Sequence, residues 1–595
     1  MKSLKKHSKG GWQSLEESSP LKKKKNMWLY QRVCQLLSPG FLDELKEQCV
    51  LAGPVFLSQI MVFLVNIVSC IFCGHLGKIE LDSVILAIAI INVTAISIGT
   101  GLTYSCDTLI SQTYGGRNMK RIGTILQRGI LILLLFCFPC WAIFINTEHI
   151  LLLFRQNPEI ARLTHAYMMI YIPALPAAFL YQLQMRYLIN QGIIWPQVFT
   201  GIAVNIINAA AHAILLYVLN LGIVGSAVAN TISQIMMCFL LCSYIYWRKL
   251  HLETWKGWSI DCLQEWGAFM RLAIPCLLML CVEWLSYEVG GFLAGLISVV
   301  ELGAQAVMLQ VSTACFTILN GFSSAASVRV GNALGAGDID QAKLATKVSY
   351  ICTVFVSFMV GVIVAASRDY VTYIFTSDKE IVLLVSQMLL IFAPYHIFDS
   401  LTSTGAAVLR GVGKQKFGAV IITVGFNAIG LPVGIVLMFA GKLGVIGLWS
   451  GLAAGLIVQA IAFLVFILHL NWDKALDEAQ DRAGLKPTSK KMYFSSTTPK
   501  LESKFTDPEK NGGYCIVPDD DYVEMCTHMS ESEEDPIKDT QNTLAQEKDS
   551  ITGARNVVGE VLSMKQLVVW RGMAMVSAVM TLIIGIMVKF LCGSG

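Results

Sequence analysis

Charge is what this chain has least of. Only 14% of its 595 residues are charged and 55% are hydrophobic, whereas soluble domains carry about a quarter charged residues. A soluble globular fold is therefore excluded. A nucleotide-binding loop is missing too. Its nearest approach, Gly413-Lys414-Gln415, lacks the final Ser or Thr and the upstream Gly, so no ATP and no cofactor are expected. The 17 cysteines are scattered without CxxC…CxxC or CxxH spacing; they read as small packing residues, not as disulfides or a metal site. No nucleophile or metal cluster suggests a membrane-embedded enzyme. The net charge of +4 sits in loops and tails and points to no nucleic-acid partner. No cleavable leader is expected either, since a Lys-rich, mixed polar start precedes an apolar run that begins near residue 49.

What is present is a series of apolar runs of about 20 residues, the length that crosses a bilayer as a helix. They fall at about 49–73, 83–113, 122–145, 165–189, 197–217, 222–246, 270–294, 303–331, 345–366, 382–408, 417–440, 445–470 and 572–590. The expected fold is an all-α polytopic membrane protein with two six-helix bundles and a thirteenth helix. Basic residues gather at alternate ends: Lys22 to Lys25, Arg117, Lys120, Arg121, Arg248, Lys249, Lys256, Arg271, Arg329, Lys343, Lys347, Arg410, Lys414 and Lys416. By the positive-inside rule that side, with the N-terminus, is cytoplasmic.

The divisions follow. Residues 1–48 form a basic cytoplasmic leader, 49–247 the first bundle, 248–269 a polar connector and 270–470 the second bundle. Residues 471–567, rich in Ser, Thr and acidic runs such as Asp519-Asp520-Asp521, read as a disordered cytoplasmic loop. Residues 568–595 carry the thirteenth helix and a short outer tail. Asn92-Val93-Thr94 matches a glycosylation sequon but lies inside a span, where no sugar is added.

The two bundles are copies. Leu51-Ala52-Gly53-Pro54 answers Leu272-Ala273-Ile274-Pro275, and Ile172-Pro173 answers Ala393-Pro394, each displaced by 221 residues. Because each copy holds an even number of spans, they share one orientation, related by a pseudo-two-fold axis along the membrane normal. Duplicated membrane proteins with polar groups at mid-span are how many secondary transporters are built.

Only the second copy carries acids inside its spans. A carboxylate at the bilayer centre costs at least about 2.5 kcal/mol, so such groups are functional candidates. Glu283 and Glu288 lie on the seventh span, roughly 140° apart around the helix, interleaved with Trp284 and Tyr287. Acids beside aromatic faces suit an organic cation. On the tenth span His396 and Asp399 stand at i, i+3, which leaves proton exchange, a metal site and a structural hydrogen-bonded pair open. Their counterparts in the first copy are Val62, Ile67, Leu175 and Ala178, all apolar. Ion chemistry is thus expected in the second half, with shape supplied by first-half groups such as Gln59, Asn66 and Asn92. Asp107, Thr108, Arg329 and Asn332 read as caps or interface anchors, and Glu301 as a helix-start residue.

With these motifs in hand, the chain resembles the vertebrate multidrug and toxin extrusion (MATE) family. The resemblance rests on Cys106-Asp107-Thr108-Leu109-Ile110-Ser111-Gln112-Thr113-Tyr114-Gly115, on Glu283-Trp284 with Tyr287-Glu288-Val289-Gly290, on the run from Ala326 to Asp338, and on Val408-Leu409-Arg410-Gly411. It implies proton-coupled efflux of organic cations by a V-shaped pair of bundles. It also implies that Glu283 and Glu288 are the family's paired acids, that Asp399 stands where close relatives carry Glu, and that Gln310, preceded by Leu309, replaces a further acid. From all this the expected partners are small organic cations, protons and the lipid bilayer. The expected form is a monomer in the plasma membrane, with the apical face a candidate. Sodium coupling and a lipid or oligosaccharide flippase are the alternatives.

Overall fold

The computed structural model describes residues 40–376, 378–485, 557–558 and 561–593, and among them the regular structure is helical. Helices are what a bilayer enforces, since they pair their own backbone groups where no water reaches. The first bundle comprises α1 (Phe41–Gly74), α2 (Ile79–Gly115), α3 (Met119–Ile145), the bent pair α4 (Pro158–Tyr171) and α5 (Ala174–Ile189), α6 (Trp195–Val218) and α7 (Gly222–Trp247). The second comprises α8 (Trp266–Gly295), α9 (Val299–Ala336), α10 (Ile339–Ala366), α11 (Lys379–Val412), α12 (Gln415–Ala440) and α13 (Gly444–Leu468). Each bundle packs about its own apolar core, the first around Leu102, Phe144 and Phe179 and the second around Phe392, Trp449 and Phe463.

The duplicated prolines act differently in the two copies. Pro173 separates α4 from α5, which meet at 60°; a proline removes one helical hydrogen bond and clashes with the preceding turn. Its counterpart Pro394 lies inside the unbroken α11. The fourth crossing is therefore a broken span, where the sequence suggested one continuous run.

Two boundaries move. α1 begins at Phe41, inside the expected leader. The expected loop opens with a further helix, α14 (Trp472–Arg482), whose Asn471 caps it by accepting from the Lys474 backbone N–H at 2.9 Å. Ala475 and Ala479 are fully buried, and such small side chains let the helix lie close against the bundle. The Ala483 carbonyl accepts from Asn118 of the first half at 3.1 Å, while Arg482 donates to the Val412 carbonyl of the second at 3.2 Å. The remainder of that loop, and most of the basic leader, lie outside the described residues. The last helix, α15 (Met564–Gly593), docks on α3, where Asn146 donates to the Gly585 carbonyl at 2.8 Å.

Among the described residues, the hydrogen bonds that join the two halves cluster at the end carrying the basic loops. Gln48 donates to the Ala345 carbonyl at 2.9 Å, Gln112 to that of Gly411 at 2.8 Å, and Thr108 to that of Arg410 at 2.6 Å. Glu44 pairs with Arg329 at 3.0 Å. The backbones touch closely enough that a Cβ on Gly335 would lie 2.0 Å from the Gln112 carbonyl oxygen. Arg121 and Arg410, which the sequence counts as loop charges, serve in ion pairs at this junction, as does Arg329, which the sequence also reads as a cap or interface anchor. Arg121 and Arg128 converge on Glu265 at 2.9 and 3.0 Å, all three side chains at most 5% exposed.

Candidate functional site

Among the described residues, one cavity in each half bears on the site, and the two differ in character. The one in the second half is the smaller and is lined by Glu283 from α8 and by Asp399, Thr402, Ser403 and Arg410 from α11. Phe316 and Asn320 of α9, Tyr104 of α2 and apolar side chains such as Met279 and Phe426 also line it. Two carboxylates facing one small space repel each other, and a bound cation or proton relieves that repulsion. A carboxylate holding a proton has no charge left to hold a cation.

Behind the acids stands an aromatic wall. The hydroxyls of Tyr287 and Tyr395 meet at 2.6 Å, Tyr395 sets its ring edge-on to Trp449 at 5.0 Å, and Trp449 donates to Gln305 at 2.7 Å. Tyr287 is thus a packed member of this wall and does not line the cavity. His396 is buried and stacks on Phe392 at 5.4 Å, with neither ring nitrogen hydrogen-bonded to protein; the structural pair with Asp399 that the sequence left open is not made. Glu288, Trp284 and Gln310 are exposed and line neither cavity.

The first-half cavity is lined by amides, hydroxyls and apolar side chains together with Arg186, and no carboxylate lines it. Gln59, Asn66 and Asn92 lie here, with Gln182, Asn230 and Tyr181. Val62 and Ala178, the apolar counterparts of Glu283 and Asp399, also line it, which is the asymmetry that the sequence shows.

Where the cavities meet, the structure places a cluster of which the sequence singled out Asp107 alone as a cap or interface anchor. Asp107 accepts from Asn190 at 3.1 Å and pairs with Arg186 at 3.4 Å, and Arg410 of the second half approaches it to 4.0 Å. The Tyr104 ring lies between the two guanidiniums, 4.6 Å from Arg186 and 4.3 Å from Arg410. Tyr104 and Asn320 line both cavities. Glu301 also exceeds its expected role: besides starting α9, it accepts from the Val445 backbone N–H at 2.7 Å and so holds the start of α13.

The MatE family model matches twice, over residues 54–218 and 275–436, and so covers both copies. The chain belongs to the multidrug and toxin extrusion family. Similar relatives include Multidrug and toxin extrusion protein 2 of Mus musculus, 52% identical over 93% of both chains. Multidrug and toxin extrusion protein 1 of Homo sapiens is 49% identical over 94% of this chain and 95% of its own. Among solved structures, the eukaryotic MATE transporter AtDTX14 superposes with a TM-score of 0.72 at 30% identity, covering 75% of this chain and all of that one. This MATE-family transporter is thus a multi-pass membrane protein, as the fold requires, and its family moves small molecules across membranes.

Proposed function

We propose that this transporter exchanges protons for small organic cations by alternating access and so expels cationic drugs and toxins from the cell. The observation that carries the reading is the convergence of Glu283 and Asp399, from two helices, on one cavity closed at the basic end. With that end cytoplasmic, the arrangement faces outward. A proton arriving from outside neutralises an acid and the cation leaves; once the halves part on the cytoplasmic side, the ionised acids draw in the next cation. The plasma membrane, with its apical face a candidate, is the membrane such efflux requires, and one chain holds every element of the cycle.

Energetics favour exchange over simple export. Expelling a monovalent cation against 100 mV costs about 2.3 kcal/mol, and one returning proton cancels that charge movement. A one-for-one exchange is then driven by the pH difference alone, at about 1.4 kcal/mol per unit. The test is tetraethylammonium exchange in proteoliposomes with Glu283→Gln. Loss of exchange in a folded protein supports the role of Glu283, and retention of the wild-type rate contradicts it.

A further inference from the structure

Arg410 has an unusual position for a guanidinium in a site that takes cations. It lines the same cavity as Glu283 and Asp399, its side chain is 8% exposed, and its Nε has no hydrogen bond. What holds it comes from the other half: the Tyr104 ring at 4.3 Å and Asp107 at 4.0 Å. Asp107 is already engaged by Arg186 and Asn190, so two guanidiniums share one carboxylate and leave a net positive charge at the floor of the acid-bearing cavity. Simple anchoring does not need this side chain. Across the seam, Thr108 binds the Arg410 backbone carbonyl, not its guanidinium.

We propose that Arg410 is a tethered counter-cation of the second-half cavity, positioned by Tyr104 and Asp107 so that closing the basic end lowers the cavity's affinity for its cation. The inference rests on the antiport reading. Its logic is geometric: the pinning groups and the acids belong to different halves. While the seam is closed, the guanidinium is held at the floor, where its charge disfavours a second cation and assists release on the open side. When the halves part at the basic end, Tyr104 and Asp107 withdraw with the first half. The freed side chain then turns to the water that enters the opened seam, and the acids regain their full attraction. For unit charges roughly 8 Å apart at an effective dielectric of about 20, the Coulomb energy corresponds to about a thirtyfold change in affinity. Asp107 and Tyr104 act through Arg410 and are positioning residues.

The experiment measures the KM for external tetraethylammonium, and the maximal exchange rate, in intact cells that express the full chain and are acid-loaded beforehand. Arg410→Gln is expected to lower the outside KM by at least about fivefold while slowing maximal exchange, because the cation now leaves reluctantly. Arg410→Lys keeps the charge and stays near wild type. Asp107→Asn removes the pin, lets Arg410 lean toward the acids and raises the outside KM; adding Arg410→Gln to it reverses that rise. Opposite KM shifts from the two single variants are a signature that loss of packing does not produce. If Arg410→Gln fails to reach the surface, Asp107→Asn and its comparison with wild type still decide, and an unchanged or lowered KM there overturns the proposal. Equal KM across all variants, with wild-type exchange intact, overturns the role of Arg410 alone. No tetraethylammonium exchange by the wild type would instead overturn the antiport reading.

Discussion

Two acids on one span, Glu283 and Glu288, look equivalent in sequence, yet they meet different surroundings. Glu283 faces the second-half cavity with Asp399, whereas Glu288 lies exposed away from it. Asp399→Asn should therefore cut initial exchange by at least about tenfold, a loss of about 1.4 kcal/mol or more of transition-state stabilisation, while Asp399→Glu retains most of it. Glu288→Gln should stay within about threefold of wild type. A Glu288→Gln loss equal to that of Glu283→Gln, measured by initial tetraethylammonium uptake, would show that the cavity extends around the helix. At the same scale, Glu265 compensates two buried guanidiniums. Its removal by Glu265→Ala should cost about 3–5 kcal/mol, seen as a fall in melting temperature that Glu380→Ala, an exposed helix-start change, does not produce.

At the scale of elements, the spans were legible because a bilayer demands about 20 apolar residues and a helix is the only open form that satisfies it. All thirteen apolar runs correspond to a crossing, counting the bent pair as one. Less legible were the features set by tertiary contact. The polar stretch after residue 470 reads as disorder by composition, but α14 needs only a narrow stripe of alanines to pack. Arg410 and Arg121 read as topology charges because sequence shows their neighbours along the chain, not the Asp107 and Glu265 that face them in space. Tyr104 carried no signal at all, since its value lies in being between two arginines from different halves. The close seam yields its own prediction. Gly335→Ala puts a methyl 2.0 Å from a backbone oxygen of α2, an overpacking that typically costs about 1–3 kcal/mol. It should loosen the basic end, and a cysteine placed at Ser327 should then react faster with a thiol reagent applied from that side. Unchanged labelling would mean the seam absorbs the methyl elsewhere.

At the scale of the whole molecule, duplication supplied a frame and divergence supplied function. One copy has amides, hydroxyls and apolar side chains around the larger cavity, and the other has acids around the smaller one. The contacts between them gather at one end, so parting there and closing at the other end is the motion the architecture allows. Such a molecule couples two ligands only if each crosses while the other side is shut. The most direct measurement is tetraethylammonium efflux from proteoliposomes holding the full chain, with pH, sodium and voltage gradients imposed one at a time. An inward-directed proton gradient alone should drive efflux, and at fixed pH neither replacing sodium nor clamping the voltage should change it. Efflux that ignores pH, or that follows sodium, would contradict proton exchange at Glu283 and Asp399.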